Sequence, residues 1–477
     1  MKAVRSNTKI SPHGGAVPIL KKMKEFGIPQ VIRSVLGTRK KQSKYGYEDV
    51  FIAWILTALC GGTRLDHITK LKKKLNIIPG LKIPSHDTLG RVMKKLATKN
   101  GLGETISKDE KGKVTYTRYN DNIKLNRMLI QATKRIGALK EGKSYTLDID
   151  ATFLASQCRG GESPLEKNGK NGFAPMVCLI GDLPVYISLR TGDTGARFML
   201  TESLETCLGL LAESKIKVGR VISDGAGYSK ALTEMLDARG IKFVMRFPLA
   251  GGMTSFKESL RKGKWRKTEI KTAENNWQCE IADIPYQMWY PGYIRQPTIK
   301  MRVVAIRFPT NKTLKRKVSL EDRIAINKVK QKMAKLKEDK KLKQPPKSYT
   351  ELHWKELGGY TYKFYVTNDF EKTSEGIVYE YNKRGDAERK FSYMKSEFAW
   401  RLPPFMWMNE NNVFLIVASL ANNIFVGIRD LFKKTIPQIK SRSRLKEFQY
   451  IFIDVSCAYV DKIYVFYNTD IEYEKLM

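Results

Sequence analysis

The chain has 477 residues, 42% of them hydrophobic, so it can fold unaided and is long enough for two to four domains. Its 86 basic and 48 acidic side chains leave a formal net charge of +38, an excess that opposes compaction and calls for a polyanionic partner. Nucleic acid is the first candidate, through phosphate neutralisation and counterion release; an anionic membrane is a weaker one, since no amphipathic basic helix or lipidation signal appears.

Residues 1 to about 40 read as a basic arm with one short helical piece near VPILKKMKEFG. The opening is polar and holds no apolar run of secretory-signal length. From 46 to 100 the pattern is helical. YEDVFIAWILTALCGG ends at a Gly pair, and TRLDHITKLKKKL follows with Leu65, Ile68, Leu71 and Leu75 at helical spacing. In IPSHDTLGRVMKKLATKNG, Ser85 reads as an N-cap after Pro84, and Leu89, Val92, Met93 and Leu96 form the inner face. His86, Asp87, Arg91, Lys94 and Lys95 then face outward. A capped start and polar groups aimed at a groove are what the second helix of a helix-turn-helix needs. Residues 1–140 are therefore expected to be a basic arm and an all-α DNA-binding region, with Ser85, His86, Arg91, Lys94 and Lys95 on its DNA-binding helix.

From 143 the period changes to two. KSYTLDIDATFLAS alternates, with Thr146, Asp148, Asp150 and Thr152 on one face. FAPMVCLIGDLPVYISLRTG reads as a hairpin about Gly181 and Asp182. GARFMLTESLETCLGLLAESK is a helix, GRVISDGAGYS a strand ending in Asp224 and a Gly-rich turn, KALTEMLDARG a helix and IKFVMRFP a strand. Three strands, helix, strand, helix, strand is an α/β pattern with a mixed sheet. Residues 141–249 are its first part. Residues 250–360 hold short strand-like pieces and a lysine-rich helix at 311–347, with 14 basic and 4 acidic residues. They read as a basic, β-rich module inserted into the α/β domain. YKFYVTNDF resumes the sheet and opens the second part of the core, 361–440; residues 441–477 read as a C-terminal hairpin. Of the longest apolar runs, VFIAWILTALC is too short to span a bilayer and VFLIVASLANNIFVGI is broken by Asn422 and Asn423. Six scattered cysteines without C-x-x-C and only four histidines speak against a zinc site or a disulfide framework. The expectation is a soluble cytoplasmic protein, associated with the nucleoid, with reduced thiols and no membrane partner.

The segment YNKRGDAERKFSYMK carries Tyr381, Arg384, Glu388 and Lys395. On one continuous helix these four fall in a stripe about 60° wide, against the edge of the apolar face. Burial there is costly unless the charges are used or paired. Asp148 and Asp150 share a strand face, Asp224 ends a neighbouring strand, and Glu388 lies on a helix after the sheet. Three such carboxylates converging on one sheet edge make a hard oxygen site for Mg²⁺ or Mn²⁺. A pair of these ions can activate a water or a 3′-hydroxyl and stabilise the leaving oxygen in phosphodiester chemistry. Arg384 and Lys395 would hold phosphates.

Tyr381, Arg384, Glu388 and Lys395 match Y-x2-R-x3-E-x6-K without a gap. In this the chain resembles a large group of bacterial insertion-sequence transposases that cut and paste with a DDE active site in an RNase H-like fold. LDIDAT resembles that group's first-aspartate strand, and VISDGAGYS its second-aspartate motif. The β-rich insertion lies where the family has one, and NENNVFLIVASLANN resembles the helix after the signature. The resemblance spans roughly 40 to 440. It implies an RNase H-like mixed sheet interrupted by a β-rich insertion domain. It implies Asp150, Asp224 and Glu388 as ligands of two Mg²⁺ ions (Mn²⁺ can substitute), with Asp148 the open alternative for the first acid. It implies Tyr381, Arg384 and Lys395 as phosphate contacts, and one of Trp265, Trp277, Trp289 and Trp354 against a DNA hairpin or flipped base. The implied activity is cleavage at the inverted-repeat ends of an insertion sequence and transfer of the 3′-OH ends into target DNA. The implied partners are double-stranded DNA and a second protomer in the paired-end complex. The alternatives are a catalytically silent DNA-binding descendant of such an enzyme and a basic RNA-binding protein.

Overall fold

The computed structural model describes residues 9–98, 102–108, 114–156, 166–167, 170–192, 194–247, 260, 263–271, 276–285, 299–309, 355–357 and 360–477. The chain divides into two compact units. The first holds residues 1–227, 239–241 and 384–477, and the second holds 228–238 and 242–383.

The first unit begins with a two-residue strand, Ile10–Ser11 (β1), then five helices: Ala16–Glu25 (α1), Ile28–Leu36 (α2), Tyr47–Leu59 (α3), His67–Leu75 (α4) and His86–Leu96 (α5). The expected single helical piece before residue 40 is in fact two helices. Helix α3 is apolar on nearly every side and is buried along its length, as an all-round hydrophobic helix must be. Gly14 and Gly15 press against the C-terminal segment: the Gly14 N–H donates to the Val455 carbonyl at 2.7 Å. A Cβ on Gly15 would lie 2.1 Å from the Phe452 carbonyl oxygen.

The region expected to be all helical contains an antiparallel hairpin, Leu102–Lys108 (β2) with Val114–Asp121 (β3). Helix Ile123–Arg135 (α6) follows. The strands Ser144–Ala151 (β4), Met176–Ile180 (β8), Leu183–Arg190 (β9) and Lys217–Ser223 (β10) join that hairpin in the order β10-β4-β8-β9-β3-β2. A side sheet of Leu154–Ala155 (β5), Glu166–Lys167 (β6) and Lys170–Phe173 (β7) stands beside it. Strands β8 and β9 form the hairpin expected about Gly181 and Asp182, and β4 runs antiparallel to β8 but parallel to β10. Helix Leu200–Glu213 (α7) connects β9 to β10. The α/β class with a mixed sheet is thus realised.

Strand β3 stops pairing with β9 at Ser188, and a side chain takes over one residue on. Asn126 of α6 accepts from the Ile187 N–H and donates to the Ile187 carbonyl, both at 3.0 Å. Its fully buried amide thus imitates a strand neighbour. Asn126→Ala would orphan two buried backbone groups, each worth about 1–3 kcal/mol. The expected loss of stability is about 2–4 kcal/mol, read as a lower denaturant midpoint.

The second unit is a β-rich layer under one helix. After helix Lys230–Ala238 (α8) come Lys242–Arg246 (β11), Arg266–Lys271 (β12), Asn276–Pro285 (β13), Arg302–Pro309 (β14), Lys355–Leu357 (β15) and Tyr360–Thr367 (β16). Strands β12, β13, β14, β16 and β11 are antiparallel neighbours in that order, with β15 on β16. Helix Ser374–Asn382 (α9) lays Ile377 and Val378 on one face, against Val244, Ile270, Ile281, Val304, Ile306 and Tyr365. The lysine-rich stretch 311–347 and Trp289 and Trp354 lie outside the described residues.

The chain returns to the first unit with helices Gly385–Glu397 (α10), Met408–Phe432 (α11) and Leu445–Phe448 (α12), then the hairpin Ser456–Val460 (β17) and Ile463–Tyr467 (β18). Among the described residues, α11 alone is long and apolar enough to cross a membrane, and it is buried inside the protein. Asn422 and Asn423 do not break it. Asn423 donates to Thr133 Oγ1 at 2.8 Å and to the Pro184 carbonyl at 2.7 Å, and Asn422 to the Asp182 carbonyl at 3.0 Å. Asn412 bonds the carbonyl of Asn120 and its Oδ1, each at 2.8 Å. Each amide nitrogen is thus bonded and pins the helix to its neighbours, while Asn412 Oδ1 and Asn422 Oδ1 are buried without a hydrogen-bond partner.

Candidate active site

The parallel pair β4–β10 sets the geometry. Its register matches Asp148 with Ile222 and Ile149 with Ser223. Asp150 and Asp224 are the next residues of the two chains, and the Asp224 charge acts on the Asp148 carboxyl. Asp224 stands where β10 ends, and its Oδ1 accepts the Ala226 N–H at 2.9 Å. This is an Asx turn, which fixes the carboxylate at the lip of the sheet.

The acids are tied to α10. Arg384 places Nη2 2.8 Å from Asp150 Oδ1 and Nε 3.5 Å from Asp148 Oδ1. Asp150 Oδ1 also accepts the Ala151 N–H at 2.9 Å. Asp148 is only 8% exposed, and neither of its carboxylate oxygens receives a hydrogen bond. Burial pushes its pKa up to about 7. Arg384 opposes that shift, Asp150 adds to it, Lys390 opposes it and Asp224 adds to it.

The signature is not carried on one helix. Helix α9 ends at Asn382 and α10 begins at Gly385, with Lys383 and Arg384 as a turn that keeps right-handed helical dihedrals. Tyr381 belongs to the second unit, where it packs on the apolar cluster under α9, its ring 4.8 Å from that of Tyr365. Arg384 and Lys395 belong to the first unit. Lys395 donates to Thr152 Oγ1 at 2.8 Å, so the Thr that follows the aspartate strand is engaged by the last residue of the signature. Burial lowers the Lys395 pKa. Glu388 lies on α10, one turn after Arg384; its side chain lies outside the described residues. Among the described residues, no three His, Cys, Asp or Glu side chains form a ready metal cluster.

Helix α5 has the cap expected of it: Ser85 Oγ accepts the Thr88 N–H at 3.3 Å, and Leu89, Val92 and Met93 are buried. His86, Asp87, Arg91, Lys94 and Lys95 are exposed. His86 Nδ1 lies 3.2 Å from Thr69 Oγ1 of α4, linking the two helices. In the second unit Trp265 and Trp277 are both engaged. The Trp265 N–H donates to the Leu260 carbonyl and Arg307 stacks 4.2 Å above its ring. Trp277 packs edge-on against Phe308 beneath Lys363.

A family model described as the transposase DDE domain matches residues 141–420. The chain belongs to that family. The match runs from the start of β4 into α11 and includes every acid and every signature residue of the site. Among solved structures, a piggyBac transposase synaptic complex with hairpin DNA is similar at a TM-score of 0.38 and 10% identity. That similarity covers 91% of this chain and 76% of the other, and so remote a likeness says nothing about chemistry. No curated protein matches the chain.

Proposed function

We propose that this DDE transposase is an insertion-sequence enzyme of the Y-x2-R-x3-E-x6-K group. It binds the inverted-repeat ends of its element, cleaves phosphodiester bonds there and joins the 3′-OH ends to target DNA. The reading is carried by one observation: the parallel register of β4 and β10 matches Ile149 with Ser223, so that Asp150 and Asp224 are the next residues of the two chains. A structural ion pair does not need two acids there, and a shared cation does.

The donor set fits a hard divalent ion. All candidate ligands are oxygens, and a buried third carboxylate, Asp148, lacks any hydrogen-bond donor. Such a group is costly unless a cation accompanies it, and in this structure the Arg384 guanidinium supplies the positive charge. Asp150 and Asp224, with Glu388 from α10, are the residues that would hold Mg²⁺ or Mn²⁺. Two such ions would activate the attacking hydroxyl and neutralise the leaving oxygen. Lys395, held at Thr152, stands beside the aspartate strand as a phosphate contact, and Arg384 and Tyr381 have that role in the same reading. Helix α5 would position the DNA through Arg91, Lys94 and Lys95, with its cap Ser85 and His86 at the entering end.

DNA affinity is expected to fall steeply with salt, because each cation at a phosphate releases a counterion. With about six to ten phosphate contacts, the loss between about 50 and 200 mM salt is roughly 10³–10⁵-fold. A titration of binding across a salt series measures it; a flat response would show that the basic surface does not carry the affinity. The enzymatic reading is tested by incubating end DNA with the protein and Mg²⁺. Binding without any nicking at the element's ends would leave a DNA-binding protein in its place.

A further inference from the structure

We propose that the edge strand β18 is the contact through which two copies of this chain join, by antiparallel pairing about a two-fold axis at Val465. The strand reads Ile463-Tyr464-Val465-Phe466-Tyr467 and lies at the end of the three-stranded sheet β1-β17-β18. Proteins usually guard such an edge with a charge, a proline or a bulge. This strand has none of them. It is uncharged, rich in β-branched and aromatic residues, and regularly paired with β17 over its whole length.

The turn fixes which groups the edge offers. Asp461 and Lys462 connect the strands at φ 48° and 66°, the two positive angles of a type I′ turn. In such a two-residue hairpin the closing pair, Val460 with Ile463, exchanges hydrogen bonds, and so does every second pair after it. The pairs Ala458 with Val465 and Ser456 with Tyr467 therefore bond inward. Tyr464 and Phe466 must point their N–H and C=O groups away from β17. Only a two-fold axis at Val465 sets Tyr464 opposite Phe466 of the second copy, twice. That register satisfies all four outward N–H groups and all four carbonyls of the two strands without a remainder.

The side chains agree with this register. Val460, Ile463, Val465 and Tyr467 share one face of the hairpin and are 43%, 64%, 38% and 38% exposed. The pairing sets Ile463 beside Tyr467 of the second copy and Val465 beside Val465, giving one continuous apolar surface. Charge argues for a protein partner over DNA. Residues 454–477 carry five acidic and two basic side chains, a net −3 in a chain of +38. The C-terminal hairpin is thus a place where two strongly basic copies can meet without adding to their repulsion. A two-fold contact also closes on itself and stops at two copies. The inference deepens the reading above by naming the second protomer's contact. It rests on that reading for its purpose only, since its test needs neither DNA nor metal.

Val465→Cys in the full chain is the direct probe. At the axis the two Val465 positions form a non-hydrogen-bonded pair, with Cα atoms about 4.5 Å apart, within disulfide range. Mild oxidation with copper phenanthroline should convert Val465→Cys to a disulfide-linked dimer on a non-reducing gel. Ile463→Cys, more exposed but offset from the axis, should stay monomeric. Val465→Lys leaves the hairpin's outer face soluble and sets two like charges opposite each other. It should sediment as a monomer where the wild type sediments as a dimer, with an unchanged circular dichroism spectrum. Failure of Val465→Cys to cross-link, equal cross-linking by Ile463→Cys, or a dimer that survives Val465→Lys would each overturn the assignment.

Discussion

Asp150→Asn and Asp224→Asn should each lower cleavage of end DNA by roughly a thousandfold or more, with end binding changed by no more than a few-fold. An ion that polarises the reacting phosphate is worth several kcal/mol of transition-state stabilisation. About 1.4 kcal/mol is a tenfold change in rate, so losing one shared ligand reaches this range. Binding should survive because the basic helix α5 lies elsewhere in the chain, and both substitutions keep side-chain size. Asp148→Asn separates the two acids of β4. Asp148 is matched with Ile222, not with an acid, so its loss should leave most of the cleavage. Single-turnover cleavage of a labelled end duplex, beside a gel-shift assay, reads both quantities. Full loss in Asp148→Asn with activity retained in Asp150→Asn would show that the first ligand is one alternation deeper in the strand.

Arg384→Ala should destabilise the metal-free protein by about 3 kcal/mol or more, the usual result of removing one partner from a buried charge pair. The guanidinium sits between Asp150 and Asp148, with its own side chain 17% exposed and theirs 16% and 11%. Without it, two neighbouring carboxylates face each other with little solvent. A divalent ion should then stabilise Arg384→Ala more than it stabilises the wild type, because it restores the missing charge without displacing an arginine. Thermal melts of both proteins, with and without millimolar Mg²⁺, measure the difference. Equal stabilisation of the two by Mg²⁺ would count against any ion at these carboxylates.

How much of this was legible depends on the range of the interactions. The period-two pattern of KSYTLDIDAT is local, and it correctly put Asp148 and Asp150 on one face. The cap at Ser85 is local too, and Thr88 closes it as expected. What brings Asp224 to Asp150 is the parallel register of strands some seventy residues apart, and no pattern within either segment encodes it. The break at Lys383 and Arg384 escaped for a related reason. No proline marks it, and both residues keep helical dihedrals. Asn422 and Asn423 looked like interruptions because their partners, Thr133, Pro184 and Asp182, are distant in the chain. The hairpin β2–β3 is a different case. VTYTRY is rich in β-branched and aromatic residues, a composition that favours a strand although no strict period-two pattern marks it.

The pairing of β1 with β17 has a consequence for how the protein is made. Ile10 lies opposite Ala458, Ser11 opposite Cys457, and His13 Nδ1 meets Asp454 at 2.9 Å. These contacts join a strand near residue 10 to one near residue 457. At roughly 5–20 residues per second, the N-terminal strand waits on the order of half a minute or more for its neighbour. During that time α1 to α5 can form and expose the basic face of α5, while the sheet that ties them down does not yet exist. The N-terminal helices therefore gain the support of β17 only after all of the chain between residues 11 and 457 has been made.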